Sequence, residues 1–428
     1  MADLSLRATR EELIARLSEG ATQRLVAIAV ALDEAAPLWR PRPFVADPPW
    51  TALYPEVVAW CEALTADEVV RIERAERLPE DAPRLMRAWE ARLAALTTLT
   101  VSTGGAGVGA GVGVGVGERR VPARKSDQVA AFMGCIERAG IATGVGAVLD
   151  WCGGKGHLGR ALGAHLRVPV TVLERQSRYA FEACELAERA GVSLRFEAAD
   201  ALAAPAGLMG PGVLAVGLHA CGELGSRLVE HALREGVHTV ALAPCCLHKV
   251  RGLRERGYEP LSQLGRAHDP RLDHESLRLA TADEVVARPS LQAARRRENA
   301  WRMAFDTLAR TAGRATYTPL GTMTEALRHR DFASFATEVA TTHKIALPAH
   351  WDAGAAEAAG WQRSERARAF GLVRGLFKRT IELWCALDRS AQLEEAGFSV
   401  ELVVFAPRAT TPRNLLLLAQ SRGSGLLV

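Results

Sequence analysis

The sequence is poor in the features that mark secreted or membrane chains. Eight cysteines among 428 residues are too sparse for a disulfide scaffold, and Cys152, Cys221, Cys245 and Cys246 stand beside glycines or one another. A reducing, cytoplasmic setting is the simpler expectation. The first residues, MADLSLRATREELIARL, are charged every few positions and lack the apolar stretch of a signal peptide. No run of about 18 strongly apolar residues occurs, so no membrane-spanning helix is expected. The phosphate-binding pattern GxxxxGK(S/T) is also missing: Lys155 sits inside a glycine turn and is followed by Gly156 and His157.

What is present is the composition of an ordinary globular chain. Hydrophobic residues at 48% and charged residues at 24% exclude a largely disordered, collagen-like or coiled-coil protein. The length predicts two or three compact units, or one core with a large insertion. Charge is uneven. Residues 1–100 carry 12 Lys/Arg against 16 Asp/Glu, so residues 101–428 carry a net +8 within the overall +4, a balance able to draw a polyanion such as nucleic acid.

Leu13, Ile14, Leu17, Leu25, Ile28 and Leu32 recur at helical spacing over about 10–35. After the proline-rich break PLWRPRPFVADPPW, helical patterns resume over about 55–98. Residues 1–100 are therefore expected to form a helical, acidic N-terminal unit. The tract GGAGVGAGVGVGVG at 104–117 reads as a linker over 101–120, because repeated glycine keeps the backbone permissive and offers nothing to pack. From residue 145, β-branched runs at 147–150, 170–173, 194–197, 213–218 and 238–243 alternate with helical stretches, the pattern of βαβ units and a parallel sheet. Residues 251–380 are almost wholly helical in pattern, and strand signals return at 400–406 and 414–419. The expected fold is α/β and Rossmann-like, with strands 1 to 5 in 121–250, a helical insertion that caps a binding pocket, and strands 6 and 7 in 381–428.

The strongest chemical signal is LDWCGGKGHLG at 149–159. A strand ends in Asp150, the chain turns through Gly153, Gly154 and Gly156, and a helix begins near His157. Such a turn lets a ligand approach the backbone, and the helix N-terminus beyond it favours an anionic group. Glu174, about 20 residues further on, stands where a carboxylate can accept both hydroxyl hydrogens of an adenosine ribose. A nicotinamide dinucleotide and S-adenosylmethionine both use that feature. The strand-terminal Asp150, together with FEAAD and its Asp200 after the third strand, fits S-adenosylmethionine better.

These residues resemble the class I S-adenosylmethionine-dependent methyltransferases. GGKGHLG, followed by VGLHACGELG (216–225), APCCLHK (243–249), ALDRSAQLEEAGF (386–398) and TPRNLLLLA (411–419), is similar more narrowly to a subgroup that includes methyltransferase-like proteins and the methyltransferase half of glutathione S-transferase C-terminal-domain-containing protein. Eukaryotic tRNA ribose methyltransferases share the histidine-cysteine-glycine and double-cysteine elements more distantly. RKSDQV at 124–129 is similar to the lysine-rich segment preceding the first strand in the subgroup. The resemblance covers roughly 120–250 and 380–420 and implies a seven-stranded sheet whose last two strands form an antiparallel edge hairpin. It also implies that Asp150, Gly154 and Gly156 hold the methionine end of the cofactor, with Cys152, Gly153, His157 and Leu158 as further cofactor-binding candidates. Glu174 would hold the ribose and Asp200 with Ala201 the adenine, and Arg175 and His219 are further cofactor-binding candidates. Cys152 departs from the broad family, where a first glycine is usual.

The fourth strand runs into His219, Cys221 and Gly222, and the fifth into Cys245, Cys246 and His248; in a doubly wound sheet these ends are neighbours, beside the ligand. Three uses of this cluster stay open. It could hold a metal through Cys221, Cys245, Cys246 and one histidine, although the usual paired cysteine knuckles are missing, and no metal is assigned. His219 or His248 could orient or deprotonate an acceptor. Alternatively, small side chains simply allow close packing around the cofactor. No Asn/Asp-Pro-Pro-Tyr/Phe motif stands at the fourth strand's exit, which argues against attack by an exocyclic base amine. Lys125, Lys249, Arg295, Arg296, Arg297, Arg413 and Asn414 are candidate substrate contacts, with Trp301 and Tyr317 as stacking partners. The expected activity is methyl transfer to RNA, tRNA or rRNA. A protein or small-molecule acceptor is the alternative, as is a cofactor-binding fold without turnover that serves as an interaction module.

Overall fold

The computed structural model describes residues 19–99, 123–281, 289–321 and 330–424. The glycine-rich tract and residues 10–18 of the expected 10–35 helix lie outside them. Contacts divide the chain into two compact units: Met1–Asp33, Leu96–Ala282 and Arg379–Val428 form the first, Glu34–Ala95 and Asp283–Lys378 the second.

The first unit holds a seven-stranded sheet: β1 (Ala147–Trp151), β2 (Val170–Leu173), β3 (Leu194–Glu197), β4 (Val213–Cys221), β5 (Thr239–Cys245), β6 (Phe398–Val404) and β7 (Leu415–Ser421). Their spatial order is β3-β2-β1-β4-β5-β7-β6. β1 to β5 pair in parallel, and the β6–β7 hairpin adds antiparallel at the β5 edge. The sheet is the expected one, with β4 and β5 running two or three residues past their apolar runs. That extension carries Cys221 and Cys245 into the strands, where they are register partners.

Alternation assigns the two faces. Val148, Val170, Val172, Leu214, Val216, Ala241 and Ala243 pack on one side with α1 (Ala123–Ala139) and α2 (His157–Leu166) through Phe132, Ile136, Leu158 and Leu162. Leu149, Trp151, Leu173, Ala215, Val240 and Leu242 pack on the other. There they meet α4 (Glu223–Arg234), through Leu228, Val229 and Ala232, and α5 (Lys378–Glu395), through Leu393. Helix α3 (Ala180–Arg189) connects β2 to β3. A parallel sheet covered on both faces accounts for the continuous apolar runs of β4 and β5.

Glycines set how closely α2 approaches β1 and β2. A Cβ at Gly159 would stand 2.8 Å from both Asp150 Cβ and Val170 Cγ1, and one at Gly163 would overlap Val170.

ALDRSAQLEEAGF runs along the end of α5 to the start of β6 and anchors the loop over 258–264. The fully buried Asp388 accepts hydrogen bonds from Tyr258 Oη (2.8 Å), the Leu261 amide (2.8 Å), and the Ser262 amide (3.0 Å) and hydroxyl (2.6 Å). Glu395 takes the Gln263 and Leu264 amides at the start of the short helix Gln263–Ala267.

The second unit is helical. Residues 34–95, read from the sequence as part of a separate N-terminal unit, share it with 283–378. Charge gives one reason: Arg366, on the helix Ala353–Gly375, pairs with Asp47 (2.6 Å) and Glu62 (2.8 Å), and Arg368 pairs with Glu73. Part of the charge asymmetry that suggested a polyanion is thus met inside the chain. Trp301, an expected stacking partner, is instead core: it is buried against Phe332 and Phe335, and its indole donates to Glu357 at 2.7 Å. Tyr317 packs edge-on against Phe44 at 5.6 Å.

Among the described residues, no helix is long and apolar enough to cross a membrane.

Candidate active site

The carboxyl ends of β1, β2, β4 and β5 build one site in the first unit. Asp150, at the end of β1, is buried, and its Oδ2 accepts the Gly159 amide hydrogen at 2.8 Å. This bond ties the strand to the first turn of α2. Burial pushes its carboxyl up to about 6, against the opposing pull of the Gly159 amide and Lys125. Gly153 is required beneath it, since a Cβ there would stand 2.6 Å from the Asp150 carboxyl carbon. Gly154 differs. Its φ is +58° and a Cβ would meet nothing within 4 Å, so the turn presents bare backbone to open space. Gly156, at φ +68°, caps α2 and lies against Val172.

Cys152, where glycine was the expected residue, has φ +58°. The left-handed conformation explains the family's glycine and costs an L-residue roughly 1–2 kcal/mol. The Cys152 thiol is pushed up to about 12 by burial and then by Glu174, Asp150, Cys221 and Asp200. The three carboxylates expected around a cofactor therefore all act on this one thiol. Glu174 follows β2, is half-buried, and receives the Gln176 amide at 2.9 Å on one oxygen. Asp200 caps a short turn through Leu202 N–H at 3.0 Å. Arg175 is exposed, while the Leu158 and Ala201 side chains point into the two cores. Lys155 is held by Glu182 at 2.7 Å. His157 opens α2; burial and the Arg160 charge bring its imidazole down to about 4.

Backbone strain marks the same place. Among the described non-glycine residues at positive φ, Glu76, Arg167 and Lys344 are ordinary helix C-caps, and Arg271 lies in the loop before the helix His274–Thr281. Cys152, His219 and Cys246 are not caps, and all three lie at the ends of β1, β4 and β5. Residues held in sparsely populated backbone regions cluster at functional sites. Gly222, at φ +56° and ψ −119°, lies against the Lys249 backbone, where a Cβ would overlap the carbonyl.

His219 Nε2 lies 2.9 Å from Gln128 Oε1, and Gln128 Nε2 donates to the Thr410 carbonyl at 3.0 Å. That second bond orients the amide, so Nε2 of His219 carries the proton and Nδ1 is the acceptor. Burial, then Lys125 and Arg413, bring the His219 imidazole down to about 4, leaving it neutral at pH 7. His248 Nδ1 instead meets Thr281 Oγ1 at 2.9 Å. Neither Gln128 nor Thr281 was singled out from the sequence. Gln128 lies within the segment RKSDQV that precedes the first strand.

Lys125 and Arg413 act on His219, and Lys249 and Arg413 on Cys246, so three of the expected substrate contacts gather at the site. Arg413 also donates to the Thr281 carbonyl at 2.9 Å. Asn414 is a structural staple, buried and donating to the Ala406 carbonyl at 2.9 Å across the β6–β7 turn. Arg295, Arg296 and Arg297 belong to the second unit; Arg296 faces Glu365 at 3.9 Å and Arg297 stacks on Trp301.

Residues 124–253 match a family model described as a methyltransferase domain. With the seven-stranded order found here, that assigns the segment. It is a class I methyltransferase domain. The match ends just past β5, so the β6–β7 hairpin that completes the sheet of this methyltransferase domain lies outside it. A comparison with curated proteins finds no match to the chain.

Proposed function

We propose that the methyltransferase domain uses S-adenosyl-L-methionine and that its acceptor is RNA, a tRNA or rRNA. The observation that carries the cofactor is the open backbone at Gly154 beside the carboxylates of Asp150, Glu174 and Asp200. Asp150 and the turn Cys152–Gly156 would hold the methionine end, with its carboxylate favoured by the positive end of α2. Glu174 would take the ribose hydroxyls and Asp200 the adenine amine. When bound, the cofactor supplies an electrophilic methyl group on a sulfonium.

The protein's own work is alignment, which can contribute about 7–11 kcal/mol to such a displacement. His219 is neutral and oriented by Gln128, so Nδ1 can accept a hydrogen bond from an acceptor hydroxyl. An imidazole held near 4 is a weak proton sink at pH 7, which favours orientation over deprotonation. Arg124, Lys125, Lys249 and Arg413 supply positive charge around His219 and Cys246, a setting suited to a phosphate-bearing acceptor. All eight cysteines are free thiols, which suits a reducing cytoplasm.

Two measurements test this reading. Glu174→Ala should weaken cofactor binding in calorimetry by about 1–3 kcal/mol through loss of charge-assisted ribose bonds; unchanged affinity would remove Glu174 from the site. Tritiated methyl transfer into extract from a strain lacking the protein should label the RNA fraction. Label in protein or small molecules would overturn the acceptor, and tight cofactor binding with no label anywhere would leave a fold without turnover.

A further inference from the structure

We propose that Cys221, Cys245 and Cys246 bind one thiophilic divalent metal ion, zinc by its ligand chemistry, at the carboxyl ends of β4 and β5. Their three sulfur atoms all lie within 4.8 Å of one another, with Cys221 and Cys245 at 3.0 Å. Zinc at about 2.3 Å from each of three tetrahedral thiolates sets sulfur–sulfur separations of about 3.8 Å. The Cys221–Cys245 pair is closer than that and every pair lies within 4.8 Å, so small side-chain rotations would complete the site.

The backbone argues that this convergence is built. Consecutive residues of a strand point to opposite faces, so Cys245 and Cys246 would ordinarily diverge. They do not, because Cys246 takes φ +47° and turns its sulfur back beside that of Cys245. If the residue served only for packing at a left-handed position, glycine would fill it without strain. Gly222 contributes from the other strand: its unusual backbone lets the Cys246–Lys249 turn close against the end of β4, with the Gly222 amide donating to the Cys245 carbonyl at 2.8 Å.

Charge is consistent with the site. Three thiolates around a divalent ion leave one net negative charge, and Lys249 and Arg413 stand close enough to act on Cys246. Cys221 and Cys246 are half-buried and Cys245 is buried, so an ion has an entry path. The histidines considered from the sequence do not join the cluster. Three protein ligands with a fourth position left to water or an exogenous donor is the open type of zinc site.

The test uses the full chain and is independent of methyl transfer. Protein incubated with zinc sulfate and desalted should retain one more zinc per chain than the Cys246→Gly variant, which keeps the backbone because glycine accepts positive φ. Cys221→Ala should lose the same ion. With cobalt(II) in place of zinc, the wild type should show a sulfur-to-metal charge-transfer band in the near ultraviolet that both variants lack. Zinc should also raise the melting temperature of the wild type and not of either variant. Circular dichroism establishes that the variants are folded. Equal zinc retention by folded wild type and variants, or no charge-transfer band in the wild type, would overturn the proposal.

Discussion

Asp150 is the residue whose replacement tests most directly how the methyltransferase domain is held together. Its carboxyl is pushed from 3.8 up to about 6 by burial, so the folded state binds its proton more tightly than the unfolded chain does. The sign follows from linkage: between about pH 4 and pH 6 the native state carries the extra proton, and stability falls as pH rises through that window. At about 1.4 kcal/mol per tenfold change in proton affinity, the ionised carboxylate costs at most about 3 kcal/mol above pH 6. Asp150→Asn keeps the shape and still offers an oxygen to the Gly159 amide, but it carries no charge to desolvate. The variant should therefore be more stable than the wild type at pH 8 by about 1–3 kcal/mol. The two should converge near pH 4, where the wild-type carboxyl is protonated. Urea titrations read by hydrogen exchange in the segment 147–166 follow the first unit by itself. Parallel pH profiles for the two proteins, or a variant less stable at pH 8, would refute the assignment of burial as the dominant force on this group.

Three further substitutions probe other contacts. Gly222→Ala should destabilise the first unit by at least about 3 kcal/mol, combining forbidden backbone geometry with overlap on the Lys249 carbonyl; a melting temperature unchanged within error would contradict that packing. Asp388→Ala strands the Tyr258 hydroxyl and the Leu261 and Ser262 amides in the interior, and should cost about 3–5 kcal/mol by chemical denaturation. A loss under 1 kcal/mol would mean that the loop has other supports. Gln128→Leu removes the partner that orients His219, so turnover should fall at least about tenfold, equivalent to about 1.4 kcal/mol, while cofactor affinity is retained. Equal turnover would make the His219–Gln128 bond incidental.

Much of the fold was legible because local chemistry dictates it. Seven short apolar, β-branched runs announced seven strands, and glycines between Asp150 and His157 announced a turn that brings backbone close to a ligand. The lengths of β4 and β5 were underestimated, since cysteine, histidine and proline at their ends carry no strand signal; neighbouring strands extend them. The carboxylates Asp150, Glu174 and Asp200 were recognisable by their places after successive strands, and the parallel topology then brings them together.

Other features depend on distances between residues far apart in sequence. The helices of 34–95 advertise apolar faces but not their partners, and only folding pairs Asp47, Glu62 and Glu73 with arginines some 300 positions later. Trp301 looks the same in sequence whether it stacks on a base or fills a core. Gln128 gains significance solely because α1 passes beside the end of β4. Order along the chain determined which residues stand at strand ends, because strand periodicity and glycine turns are local properties. Whether Cys221, Cys245 and Cys246 meet at a single point was decided only by the tertiary structure, through adjacent strand order and one left-handed residue.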